Sequence, residues 1–184
     1  MNRLASPAQL RASLLRWSLF IVPVVVLAGF VSGQMAGSGA DNPWFAALYK
    51  PAIYPPPITF GIVWGVLYVL MGVALAMVCA AWGARWRTLA ILAFLVQFAL
   101  NLAWSSVFFA MHDIELALIV IAALDVMLVL TIWLFWKVRR LAGLLLLPYL
   151  AWCLFATALT WQFLQLNPDA SDVNANNAVQ RVVL

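Results

Sequence analysis

Apolar positions in this chain do not alternate with polar ones; they run on in long blocks. Five blocks, residues 17–35, 57–82, 88–111, 114–136 and 141–166, are almost wholly apolar. A membrane-crossing helix needs about 20 such residues, whereas a barrel strand needs only about 9–11 in strict alternation. In hydrocarbon every backbone N–H and C=O must be satisfied within the structure, so each block predicts a helix and the five together predict a bundle. Short connections at 83–87 and 137–140 make sequential helices antiparallel neighbours. The connection at 36–56 is about twenty residues long, a length that suggests function.

Composition turns this pattern into a class. Hydrophobic residues make up 67% of the chain and charged residues 9%, against roughly 25% charged in a soluble domain. A soluble fold could not cover its surface with so few charges, so the prediction is an all-α integral membrane protein.

Charge placement then predicts orientation. Arg3, Arg11, Arg16, Arg85, Arg87, Lys137, Arg139 and Arg140 fall on one side of the five spans; Lys50 and Arg181 fall on the other. By the positive-inside rule the N-terminus is cytoplasmic and the C-terminus external. The net charge of +4 is thus a topology signal and implies no nucleic-acid partner. The first block has a second reading, a cleaved signal peptide with small residues at 33–39, which would leave four spans; its length favours a retained helix.

The chain divides into a basic arm (1–16), a five-helix domain (17–166) with its long loop (36–56), and a polar tail (167–184). The arm reads either as a short interfacial helix or as a partly ordered topogenic segment. The tail is Asn-rich, lacks aromatic residues and predicts disorder. Cys79 and Cys153 fall inside apolar blocks and read as packing residues, not as a disulfide framework or metal site.

Candidate chemistry lies in the ten tryptophans. Trp17, Trp82, Trp86 and Trp136 stand at span ends beside basic residues and read as interfacial anchors; Trp133, one turn further in, is left open. Trp64, Trp104 and Trp152 instead share helix faces with other functional-looking side chains: Trp64 with Tyr68 and Met71, Trp104 with Gln97, Asn101 and Phe108, Trp152 with Tyr149, Ala156 and Thr160. Gln97 and Asn101 would be costly against lipid and should face inward. They fit either interhelical hydrogen bonds or a pocket with an aromatic lining and a few oriented polar groups. Gly61, Gly65 and Gly72 form a small-residue stripe that predicts close helix packing. Asp125, near the middle of the fourth span, predicts a neutral carboxyl hydrogen-bonded within the bundle. His112 is the sole histidine, in a loop, and reads as solvated; no hydrolase constellation and no metal site is apparent.

Three stretches resemble the TspO/MBR family of tryptophan-rich sensory and translocator proteins, also called peripheral-type benzodiazepine receptors. WFAALYKPAIYPPPITFGIVWGVLYVLM (44–71) is similar to the signature W-[YF]-x-x-L-x-K-P-x-x-x-P-P…VW-x-x-L-Y-x-x-M. QFALNLAWSSVFF (97–109) resembles Q-x-x-x-N-x-x-W-S-x-x-F-F, and PYLAWCLFATALTWQFLQLN (148–167) resembles P-Y-x-x-W-x-x-F-A-x-x-L. The resemblance implies a five-helix bundle, usually a homodimer, in a bacterial inner or outer membrane. It implies a binding protein or sensor for porphyrins such as protoporphyrin IX and haem, bound as ligand with no required cofactor. It also implies benzodiazepine-type drugs as ligands and, in some members, sterols.

Carried over by motif, the ligand-binding residues are Trp44, Phe45, Pro55, Trp64, Tyr68, Asn101, Trp104, Trp152 and Ala156. Light-driven porphyrin degradation, reported for some bacterial members, would make Trp64 and Trp152 catalytic. A porphyrin transporter and a structural regulator of membrane-protein assembly are the alternatives. KPAIYPPP (50–57) then reads as a stiff lid whose prolines fix φ and start the second span. Lys50 either meets a ligand carboxylate or marks the interface. Phe45 replaces the common tyrosine, Thr160 stands where many members have Asn, and the sterol pattern of the fifth helix is absent.

Overall fold

Once apolar blocks of this length are helical, their ends and breaks follow from a few residues. The structure, a computed structural model, describes residues 7–170. Its elements are α1 (Pro7–Met35), α2 (Pro43–Ala47), α3 (Pro57–Cys79), α4 (Arg87–Ser105), α5 (Ile114–Val138), α6 (Arg140–Leu145) and α7 (Leu147–Leu166), with a π-helical turn, Ser106–Ala110, ending α4. Five helical segments are long and apolar enough to cross a membrane, the fifth being α6 and α7 together. The protein is a multi-pass integral membrane protein, all-helical among the described residues.

α1 starts ten residues before its apolar block. From Pro7 onward the basic arm is not a separate unit but the first turns of the membrane helix. Gln9, Leu10, Arg11, Ala12, Leu14 and Leu15 are helix formers or compatible with helix, and proline is tolerated at the first position. Residues 1–6 of the expected arm lie outside the described residues.

α3 opens on Pro57, whose missing N–H would be unpaired there anyway, after Pro56 in an extended conformation. Asp113 caps α5 by accepting the Leu116 N–H at 2.8 Å. The fifth span breaks at Leu146 because Pro148 cannot donate to the previous turn.

At the basic end, Arg87 Nε donates to the Cys79 carbonyl at 3.1 Å, closing one of the open carbonyls of α3. The same guanidinium lies 4.3 Å from the Trp82 ring, and Trp82 meets Trp17. Trp86 meets Trp133 at 6.1 Å, and Lys137 lies over Trp133. Trp133 therefore joins the aromatic group at this end.

Between helices, lipid supplies no hydrophobic driving force, so close packing and hydrogen bonds hold the bundle. A Cβ on Gly72 would stand 2.8 Å from Val22 Cα, so α1 and α3 touch there backbone to backbone. A Cβ on Gly29 would overlap the Tyr68 ring. Polar links join the helices in pairs. Ser32 Oγ donates to Leu102 O at 2.8 Å, and Tyr149 OH to Gln97 Oε1 at 3.2 Å. Tyr68 OH donates to Asn101 Oδ1 at 3.2 Å, and Thr157 Oγ1 to Asp125 Oδ2 at 2.7 Å. Gln97 and Asn101 face inward, as expected. Leu19, Ile62, Val126 and Trp161 are among the exposed apolar residues that meet the bilayer.

The glycine stripe corrects an expectation. Gly72 does pack, but Gly61 and Gly65 have nothing within 4 Å of where a Cβ would be. They face a cavity instead.

Residues 36–56 cross one end of the bundle. Asn42 caps the short α2 by accepting the Phe45 N–H at 3.0 Å, and Pro43 follows it. The segment after α7 is a second correction. Residues 167–170, expected to be disordered, are docked against the loop because Asn167 and the Ala170 carbonyl hydrogen-bond to it. The rest of the expected tail, 171–184, lies outside the described residues.

Candidate functional site

Beneath the loop, α1, α3, α4, α5 and α7 line a partly open cavity of about 440 Å³. This falls within the size range of small-molecule sites, roughly 300–1,000 Å³. Helical period builds it: Trp64 and Tyr68 come from successive turns of α3, Asn101 and Trp104 from α4, Trp152 and Ala156 from α7. The two exposed glycines, Gly61 and Gly65, supply wall without side chain.

Of the residues expected to bind ligand, Phe45, Trp64, Tyr68, Asn101, Trp104, Trp152 and Ala156 line this one cavity. Trp44 and Pro55 do not. Trp44 is turned away: it stacks on His112 at 4.6 Å, meets Phe108 edge-on at 5.5 Å and donates Nε1–H to Ala170 O. His112, expected to be solvated, is half-buried beneath that ring at a φ of +60°. Pro55 lies half-buried in the loop strand leading to α3.

The walls are aromatic. Trp64 stacks on Tyr68 with ring centres 5.2 Å apart, Trp104 on Phe108 at 5.1 Å, and Phe60 meets Trp152 at 5.7 Å. Phe45 is the roof, packed among Tyr54, Phe109 and Phe163 at 5.3–5.8 Å. The loop therefore contributes one buried ring to the site and holds it through a short capped helix.

Among the described residues no charged side chain lines the cavity. Lys50 does not reach it. Its ammonium donates to the carbonyls of Phe45 and Leu48 at the end of α2 and lies 4.1 Å from the Phe45 ring centre. It closes a helix C-terminus, which favours a cation. Burial pushes its pKa below the ordinary lysine value and that of the cavity-lining Tyr54 hydroxyl above the ordinary tyrosine value. Polar capacity inside the cavity comes from uncharged groups, among them Asn101, Tyr68, Ser105, Thr160, Gln34 and Ser38. The indole N–H groups of Trp104 and Trp152 are buried with no hydrogen-bond partner among the described residues. Buried donors of this kind are rare.

Asp125 stands behind the cavity rather than in it. One carboxyl oxygen accepts from Thr157; the other is buried and has no hydrogen-bond partner among the described residues.

Sequence reasoning missed several liners. Phe108 and Thr160 were on the faces it marked. Gly29, Phe30 and Gly33 of α1 carry no local signal, because only the packing of α1 against α3 turns them to the cavity. Tyr54 and Phe60 flank the proline run, where aromatic rings beside a rigid loop were the available clue.

The TspO/MBR family model matches residues 20–166. A protein named tryptophan-rich protein TspO from Chlorobaculum tepidum is 40% identical over 126 residues, covering 68% of this chain and 80% of that one. Protein CrtK of Rhodobacter capsulatus is 32% identical over 159 residues, 85% of this chain and 98% of its own. The translocator protein of Homo sapiens is 35% identical over 135 residues, 72% of this chain and 80% of its own.

Proposed function

The chain belongs to the TspO/MBR family, and from that premise we propose that its cavity binds a flat hydrophobic pigment of the porphyrin class, such as protoporphyrin IX or haem. One observation carries this reading: Trp64, Trp104 and Trp152, from three different helices, border a single uncharged cavity roofed by Phe45. Indole faces offer large, rigid stacking surfaces to a macrocycle. Asn101 and Tyr68, hydrogen-bonded to each other, bring uncharged polar groups to the same cavity. The absence of a lining cation means that a porphyrin's carboxylates belong at the mouth, with the macrocycle inside.

A pigment held there and excited by light would sit beside oxidisable indoles, which favours photochemical loss of bound porphyrin as an activity of the same site. The basic residues at the far end favour a lid on the external side of the membrane.

The test is a dark titration of the purified protein with protoporphyrin IX, followed by its main absorbance band, with Trp64→Phe, Trp104→Phe and Trp152→Phe alongside. Saturable binding is expected, weakened about two- to tenfold by each substitution as stacking is lost. Non-saturable uptake, equal in all variants, would refute the reading. Illuminating the same samples separates binding from chemistry: pigment loss should require Trp64 or Trp152.

A further inference from the structure

α7 ends where Pro168 follows Asn167. The Asn167 N–H still donates to Phe163 O at 3.0 Å, but the proline has no N–H to carry the helix on. The Asn167 side chain then does something local helix capping does not require. It is only 8% exposed, and besides donating one Nδ2 hydrogen to its own helix at Phe163 O, 2.9 Å away, it engages residue 49 of the loop with both polar atoms: Oδ1 accepts the Tyr49 N–H at 2.8 Å, and Nδ2 donates to the Tyr49 carbonyl at 3.1 Å. This is the paired exchange that one strand residue offers another, supplied here by an amide. Three positions on, the Ala170 carbonyl accepts Trp44 Nε1–H at 2.9 Å.

Trp44 and Tyr49 bracket the roof of the cavity. Between them lie Phe45, the roof, and the end of α2 that Lys50 closes. The roof is therefore a stiff piece fixed at two points to the end of one helix. That helix also carries Trp152, Ala156 and Thr160 along the cavity.

We propose that Asn167, together with the Ala170 carbonyl, is a latch that sets the closed position of the lid, making residues 167–170 positioning groups of the ligand site although they line none of it. The proposal rests on the reading of the cavity as a ligand site. With the latch made, the roof is pre-organised and a ligand loses less freedom on binding. With it broken, the lid opens more often and the ligand leaves faster.

The latch can be read without any ligand. Backbone hydrogen exchange would be measured on the ligand-free full chain, wild type and Asn167→Ala, Asn167→Asp and Trp44→Phe. Dissociation of protoporphyrin IX from the same proteins would be measured separately. Asn167→Ala should speed exchange of the Tyr49 amide about tenfold, the scale of one lost hydrogen bond, while amides in the middle of α3 and α5 keep their protection. Asn167→Asp keeps the acceptor and loses the donor, so it should fall between. Trp44→Phe removes the second pin and keeps a ring for His112, so it tests the latch independently if the Asn167 variants do not fold. Pigment release should rise in the same order as lid exchange.

Unchanged Tyr49 exchange in Asn167→Ala would overturn the latch. Faster exchange with unchanged pigment release would overturn its role at the site. If wild-type protein bound no porphyrin, the porphyrin reading would fail on its own, and the exchange arm would still decide the latch.

Discussion

Gly65 and Gly72 stand about two turns apart on α3 and do opposite work. A Cβ on Gly65 would enter open cavity, whereas one on Gly72 would press on Val22 of α1. Gly65→Leu should therefore fill part of the cavity and weaken porphyrin binding at least about tenfold with little change in thermal stability. Gly72→Leu overpacks a helix contact and should cost about 1–3 kcal/mol, readable in a denaturant titration of the purified protein. The reverse pattern would mean that α3 has been assigned the wrong face. At this scale the sequence was informative wherever helical period combined with residue type. Trp64, Asn101, Trp104 and Trp152 were marked on their faces and do meet at one cavity. The glycines were not separable, because a period shows which residues share a face but not whether a neighbour lies opposite. Trp44 shows the same limit: its partner Ala170 is 126 positions away.

Among the elements, α5 and α7 are joined by a polar contact inside the membrane. Thr157 Oγ1 lies 2.7 Å from Asp125 Oδ2 and 3.0 Å from the Cys153 carbonyl one turn back, within reach of its single O–H for either. Thr157→Val would leave the carboxyl without its donor, a loss of about 1–3 kcal/mol for a buried acceptor left unpaired. Asp125→Asn keeps an acceptor for Thr157 and should cost less. Unfolding of both variants in mixed micelles checks the order; equal and negligible effects would show that the contact holds nothing. The five spans themselves were legible, since length and apolar character are enough. Their local departures were less so. Pro148 explains the break at Leu146 after the fact, but a long apolar run does not reveal that α1 extends back to Pro7 or that α4 ends in a π-helical turn. The latter depends on how the chain packs at Val107 and Phe108, both buried.

The whole molecule has two unlike ends. One carries Arg16, Arg85, Arg87, Lys137, Arg139 and Arg140 and the tryptophan pairs Trp17–Trp82 and Trp86–Trp133. The other carries the lid, where Lys50 is engaged with backbone carbonyls. The positive-inside rule predicts that the first end faces the cytoplasm. A cysteine introduced as Ala52→Cys in the lid should react with a membrane-impermeant thiol reagent in intact cells. Ala84→Cys, in the α3–α4 turn, should react only after permeabilisation, and the native Cys79 and Cys153 are buried. Labelling in the opposite order would invert the molecule and place the cavity mouth in the cytoplasm.

The central claim is that a porphyrin lies inside the bundle among three indoles. An experimental structure of the protein saturated with protoporphyrin IX tests it most directly. The account predicts the macrocycle beneath Phe45, within about 4 Å of Trp64, Trp104 and Trp152, the range of side-chain contact, with the Asn167–Tyr49 pair intact above it. Pigment seated on the lipid-facing surface with the cavity empty would contradict it.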